Sequence, residues 1–171
     1  IAEATGLVVP MGRIVLDLAL GAIREFNLLR ASPLRVAINA SALQLRHPTF
    51  VRDIRAGLDQ HALPASSLAV EVTETNALTD PEGTRRVLRE LRTAGVSISL
   101  DDFGTGFASL DLLRSLPLDL VKIDRSFTHD IDKDPTQASI ATAVIELSHR
   151  LGLKVVAEGV ETASQHAFLE S

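Results

Sequence analysis

The chain has no cysteine, which excludes disulfides and thiolate metal ligation and favours a cytoplasmic setting over an oxidising one. No apolar run reaches membrane-spanning length, and no secretory leader is visible. Basic residues are not in excess: 17 Lys and Arg stand against 22 Asp and Glu, a formal charge of −5, which argues against general nucleic-acid binding. A small anionic ligand is still compatible with that charge, because metal ions can supply positive charge locally. No segment reads as a linker, and neither a dinucleotide-binding nor a Walker glycine fingerprint is present.

What is present is a chain of 171 residues, 46% hydrophobic and 23% charged, with a mean hydropathy of +0.19: enough for one well-packed domain. It begins at Ile1 rather than Met, so it is expected to be a piece of something longer, with any sensor or membrane anchor outside it. Helical and strand patterns alternate. Ile14, Val15, Leu18, Ala19, Ala22, Ile23 and Phe26 recur at helical spacing. A strand is expected over 34–39, then a helix opened by Pro48 with Phe50, Val51, Ile54 and Leu58 inward, then a strand over 68–73. Asp80-Pro81 reads as a cap and first helical residue, Val87, Leu88 and Leu91 as the buried stripe, and Gly95 as the stop before a strand over 96–101. A short helix over 109–116, ended by Pro117, leads to a strand over 118–124. Asp134-Pro135 repeats the capping grammar, with Ile140, Val144, Leu147 and Leu151 as the stripe, Gly152 as the stop, and a strand over 154–158.

Five strands alternating with helices indicate parallel βα units. Along each strand one parity is large and apolar, as in Val70 and Val72, Ile98 and Leu100, or Val121 and Ile123. The other parity carries a polar group near the C-terminal end. That pattern predicts an α/β fold of the TIM-like (β/α)8 barrel type, which gathers its site from several strand ends, with about five βα units present. An open doubly wound sheet fits less well, since it places its site at one switch point.

The polar strand-end residues are Asn39, Glu71, Asp101, Asp102, Lys122 and Glu158. Asp101-Asp102 is the most informative pair: adjacent carboxylates at the end of a buried strand repel each other and are costly to desolvate, unless something strongly positive sits between them. Carboxylates and an amide oxygen suit hard ions such as Mg²⁺ or Mn²⁺ rather than zinc. Phe103-Gly104-Thr105-Gly106 supplies a flexible loop beside them. Acids, one lysine and no nucleophilic Ser or Cys point to metal-assisted hydrolysis of a phosphate ester. Each residue alone has an ordinary explanation: a turn Asn, a Lys122–Asp101 pair, a solvated Glu71 and Glu74, or acids near a helix start at Glu158 and Glu161. Their joint occurrence on successive strand ends does not. The histidines His47, His61, His129, His149 and His166 lack ligand spacing and read as surface residues.

Asn39-Ala40-Ser41, Glu71-Val72-Thr73-Glu74, Asp101-Asp102-Phe103-Gly104-Thr105-Gly106, Lys122-Ile123-Asp124 and Ala157-Glu158-Gly159-Val160-Glu161 resemble, in order and spacing, the bacterial EAL domain. The resemblance covers residues 1–171 and implies a phosphodiesterase that hydrolyses cyclic di-GMP to linear pGpG at a two-metal Mg²⁺ or Mn²⁺ site, with Ca²⁺ inhibitory. It implies that Asn39, Glu71 and Asp101 are metal ligands, Asp102 reaches the second metal, Lys122 orients the attacking water, and Glu158 is a ligand or base. Glu74 would anchor the loop that follows Asp102, with Asp124 and Glu161 supporting the site. Phe107-Ala108 stands where many members carry Tyr-Ser. The family's Glu-x-Leu-x-Arg segment, with its Glu ligand and phosphate-binding Arg, would precede Ile1, and the last strand with its Gln would follow Ser171. Residues 1–171 are therefore expected to be a partial EAL domain, inactive in isolation. The family also implies a homodimer and a sensor or GGDEF domain elsewhere in a cytoplasmic or inner-membrane-tethered parent. The alternatives are a degenerate module that binds cyclic di-GMP or a protein without turnover, and an unrelated Mg²⁺ barrel enzyme acting on an enolisable acid.

Overall fold

A computed structural model describes residues 2–104 and 110–170. Its elements run α1 (Val8–Leu28), β1 (Val36–Asn39), α2 (Ala42–Arg46), α3 (Phe50–Gln60), β2 (Leu68–Thr73), α4 (Glu74–Thr79), α5 (Pro81–Thr93) and β3 (Ser97–Phe103). They continue as α6 (Leu110–Ser115), β4 (Leu120–Ile123), α7 (Arg125–Thr128), α8 (Pro135–Arg150), β5 (Lys154–Ala157) and α9 (Ala163–Leu169). The strands form one parallel sheet in the order β1-β2-β3-β4-β5. Spatial order equal to sequence order means that each unit is laid beside the last with no reversal. This is the winding of a barrel, not of a doubly wound sheet with its switch point.

The parity expected from the sequence holds across the sheet. Ile38, Val70, Val72, Ile98, Leu100, Val121 and Ile123 are buried on the helix-covered face. On the other face Ala37, Ala69, Ser99, Leu120 and Val156 line a cavity of about 180 Å³ together with Glu71 and Lys122. Small side chains here leave room, and Val156 remains 41% exposed.

The caps form as their chemistry dictates. Asp80 accepts a hydrogen bond from the Gly83 N–H (3.0 Å), and Asp134 accepts one from Thr136 (2.8 Å), each followed by proline in the first turn. Gly95 and Gly152 close these two helices at φ +97° and +77°, where a side chain would be strained. An unexpected short helix, α2, begins with a reciprocal box: Gln44 N–H donates to Ser41 Oγ and Ser41 N–H to Gln44 Oε1.

Two stripes differ from expectation. In α1 the buried residues are Leu16, Leu20 and Ile23, while Ile14, Val15, Leu18 and Phe26 are exposed. That helix is apolar on more than one side, so periodicity alone cannot choose its buried face. The buried side is the one that packs on α3 and β1, with Leu20 and Leu16 so close to Gly57 that a Cβ there would stand 3.0 Å and 3.3 Å from them. In α8 the buried residues are Ala141 and Ser148, with Ile140 and Leu151 exposed. Small residues let this helix approach the sheet, and Ser148 Oγ returns its hydrogen bond to the Val144 carbonyl (2.8 Å). His47 and His61 are not free surface residues: half-buried, they bond Thr49 Oγ1 and Asp17 Oδ1 respectively, each at 2.8 Å. His129, His149 and His166 are exposed.

Candidate metal-binding active site

The C-terminal ends of the strands converge on one amine. Lys122, at the third position of β4, places Nζ 2.9 Å from Asp101 Oδ1, 2.7 Å from Glu158 Oε1 and 3.3 Å from Glu71 Oε2. It is therefore shared by three carboxylates from β2, β3 and the end of β5, not simply paired with Asp101. Burial alone would lower its pKa, but the hydrogen bonds it donates to Glu158 and Asp101, with the charge of Glu71, outweigh that cost and raise the pKa well above the ordinary lysine value. The amine is an ammonium at any pH near neutrality. Asn39 stands in register with Glu71 across β1 and β2, and Thr73 with Asp101 across β2 and β3, so these positions occupy two successive levels near the C-terminal ends of the strands.

Simple strand alternation would send Asp102 to the opposite face from Asp101. The structure avoids this with a break in the β3–β4 register between Leu100 and Phe103, and Asp102 adopts φ +55°. Its backbone N–H donates to Asp101 Oδ1 (3.1 Å). The turn brings both aspartates to the same side: Asp101, Asp102 and Glu158 each offer one oxygen within 4.8 Å of the others. That spacing suits an ion that holds each oxygen at about 2.0–2.6 Å, and the all-oxygen donor set is that of a hard divalent cation. Desolvation, reinforced by the charges of Asp101, Asp124 and Glu158, raises the Asp102 pKa. Such a site is short of positive charge even with Lys122 in place.

Glu74, 3% exposed at the start of α4, accepts the Gly104 N–H at Oε1 (3.2 Å), and its Oε2 has no hydrogen-bond partner among the described residues. Neither Glu71 nor Glu74 is a solvated surface acid. Phe103 is not part of a flexible loop as expected: it is the last residue of β3 and is buried, because its side chain joins the core, and Gly104 then turns at φ +98°. Thr105 and Gly106 lie outside the described residues. Asp124 caps α7 by accepting the Ser126 N–H (2.8 Å), and hydrogen bonding with the Ser126 side chain together with this backbone bond lowers its pKa. Glu161 is exposed, and its backbone N–H joins the cap of α9 by donating to Gln165 Oε1 (2.8 Å). Phe127 and Thr128 belong to no motif that marks them as functional in the sequence. Their only signal was their position directly behind Lys122-Ile123-Asp124.

The family model described as EAL domain matches residues 1–171. Among curated relatives, the bifunctional diguanylate cyclase/cyclic di-GMP phosphodiesterase MucR of Pseudomonas aeruginosa is 43% identical over 99% of this chain and 25% of its own length. The cyclic di-GMP phosphodiesterase NbdA of the same organism is 44% identical over 99% and 22%. The chain thus spans about a quarter of the length of these relatives. The solved MucR phosphodiesterase in complex with c-di-GMP superposes with a TM-score of 0.91 at 43% identity, covering 99% of this chain and 68% of that one. BlrP1 of Klebsiella pneumoniae, solved with manganese and the cyclic dinucleotide, gives 0.80 at 33% identity, covering 91% and 40%.

Proposed function

The chain belongs to the EAL domain family, and from that premise we propose that the protein containing it hydrolyses cyclic di-GMP to linear pGpG with Mg²⁺ or Mn²⁺. The observation that carries the proposal is the intact acidic constellation: Asp101, Asp102 and Glu158 clustered at ion-binding spacing, with Lys122 drawn among Glu71, Asp101 and Glu158. Asn39, Glu71, Asp101, Asp102 and Glu158 would hold the ions, with Asp101, Asp102 and Glu158 already at ion-binding spacing. When bound, the ions supply Lewis acidity to the phosphate and lower the pKa of the attacking water. Lys122, fixed as an ammonium, cannot accept a proton; it donates hydrogen bonds and charge, orienting the water and the developing negative charge on the phosphate. The proton must then pass to a carboxylate. Glu158, with its side chain 34% exposed and 2.7 Å from Lys122 Nζ, is the best placed to relay it outward.

Glu74 anchors the backbone after Asp102 through Gly104, and Asp124 and Glu161 support the strand ends. The five strands are five units of an eight-unit barrel, and residues 1–171 are part of one EAL domain. The manganese complex of BlrP1 supports the choice of metal, and the length and bifunctional name of MucR support further domains in the parent. Homodimerisation and a cytoplasmic location belong to the same proposal. The test is chromatography of cyclic di-GMP incubated with the full-length protein and Mg²⁺ or Mn²⁺. Release of pGpG is expected, and binding of the nucleotide without pGpG would make the domain a receptor instead.

A further inference from the structure

We infer that α7 is a strut that sets the spacing between Asp102 and Glu158, with Phe127 and Thr128 as positioning residues. The inference rests on the metal-dependent reading above. It concerns side chains that act through the acids rather than on substrate.

Two contacts carry it. Thr128 is fully buried, and its hydroxyl lies between the carbonyl of Arg125 (3.1 Å) and that of Glu158. Its single proton can therefore tie the last residue of the β5 arm to the helix. The backbone beyond is equally close: Gly159 has φ +68°, and a Cβ there would stand 2.5 Å from Arg125 Cβ and 3.4 Å from Thr128 Oγ1. The arm bearing Glu158 thus rests directly on α7. On the other side, a Cβ at Gly104 would fall 1.9 Å from Phe127 Cε2, so the ring occupies the space beside the backbone that follows Asp102. Glu74 holds the same Gly104 through its N–H. Gly104 is clamped between a buried carboxylate and an aromatic ring.

The helix is itself pinned from outside these contacts. Asp124 caps it, and the Gln137 side chain of α8 donates to the Ser126 carbonyl. A helix of four residues has no stability of its own. It keeps its place through such anchors, and adjacent residues 127 and 128 then face two different acidic arms. Because a bound ion demands fixed oxygen positions, and Mg²⁺ and Mn²⁺ demand them more strictly than Ca²⁺, moving either arm should weaken the stricter ions most. Groups that orient ligands from behind typically matter by about 10- to 100-fold in metal affinity.

The experiment titrates the full-length protein with Mn²⁺ alone, following free Mn²⁺ by electron paramagnetic resonance, and with Ca²⁺ by calorimetry, with thermal unfolding recorded for each variant. Thr128→Val keeps the shape and removes the hydroxyl; it is expected to weaken Mn²⁺ by about 10-fold or more, and Ca²⁺ by less. Thr128→Ser should restore near-normal Mn²⁺ affinity. Phe127→Leu, which withdraws the ring from Gly104, should reproduce the Mn²⁺ loss and serves as the independent variant if Thr128→Val does not fold. Unchanged Mn²⁺ affinity in Thr128→Val or in Phe127→Leu, or equal losses in Thr128→Ser and Thr128→Val, would overturn the strut. An unmodified protein that binds no Mn²⁺ would instead overturn the metal reading on which it rests.

Discussion

Lys122 Nζ lies 2.7 Å from Glu158 Oε1, joining β4 to the end of β5 across the rim of the sheet. Glu158 is the most exposed of the three acids around this amine, at 34% against 13% for Glu71 and Asp101. The ammonium is thus held from its buried side by two acids and faces solvent beside the third. It gives the cluster a permanent donor and leaves one carboxylate accessible to a proton.

Lys122→Ala should destabilise the metal-free protein, because Glu71, Asp101 and Glu158 would be left facing one another without a cation. Loss of one partner from a largely buried ion pair costs up to about 3 kcal/mol. The folded-state pKa of Lys122 is raised from 10.5, so its stabilisation is fully present below that value. It is lost only as pH climbs above 10.5 through the folded pKa. Denaturant unfolding at pH 7 and above pH 11 should therefore show a large difference between variant and parent that shrinks in strong alkali. Turnover of cyclic di-GMP by Lys122→Ala, and by Asp101→Asn, should fall on the order of 10²-fold or more, with the far-ultraviolet circular dichroism unchanged.

Asp102→Asn should have opposite effects on folding and on metal binding. The Asp102 pKa is raised above its ordinary 3.8, so the ionised form costs stability at neutral pH, and that cost disappears as pH falls through the folded pKa. Asn also tolerates the positive φ of this position better than most residues. In a chelator at pH 7 the variant should melt about 1–4 °C higher, with the gain vanishing near pH 4. It should also bind Mn²⁺ more weakly. A lower melting temperature at pH 7 would show that Asp102 contributes more to folding than it costs.

Glu74→Ala removes the acceptor for the Gly104 N–H and should weaken Mn²⁺ by about 10-fold. Dimerisation should weaken with it if one conformation after Asp102 serves both. Parallel Mn²⁺ titration and sedimentation of the full-length protein test this. Loss of one property with full retention of the other would separate the two roles.

Ca²⁺ should occupy the carboxylates and inhibit. It is larger and accepts irregular coordination, so it can fill the site yet misplace the water that Mg²⁺ or Mn²⁺ would align. Adding Ca²⁺ to a Mn²⁺-supported reaction should suppress pGpG release while nucleotide binding persists. Turnover supported by Ca²⁺ alone at the Mn²⁺ rate would contradict this.

Much of the fold is legible in the one-dimensional pattern because its signals are local. A cap such as Asp80 lies three residues from the N–H it accepts, Gly95 acts on its own φ, and the alternation of Val70, Glu71 and Val72 follows from the pleat of a single strand. The acidic constellation is legible for a related reason. Parallel units in sequential order place every strand's C-terminal end on one rim, so Asn39, Glu71, Asp101, Lys122 and Glu158 gather there once the winding is known. The helix stripes were less readable. An apolar periodicity identifies a helix, but α1 has more than one apolar side, and its buried one is set by packing on α3 and β1, with Gly57 beside Leu16 and Leu20 about 40 residues downstream.

What the sequence by itself determined was the order of βα units, the faces of the strands and which polar side chains stand near the strand ends. Only the tertiary structure decided that Asp102 joins Asp101, since alternation assigns them to opposite faces and a bulge at φ +55° overrides it. It also decided that one ammonium serves three acids, and that Phe127 and Thr128 stand behind them. The physical reason is range. Caps, turns and pleats depend on neighbours a few residues away, whereas the contact between Lys122 and Glu71 spans 51 residues and exists only after the strands have paired.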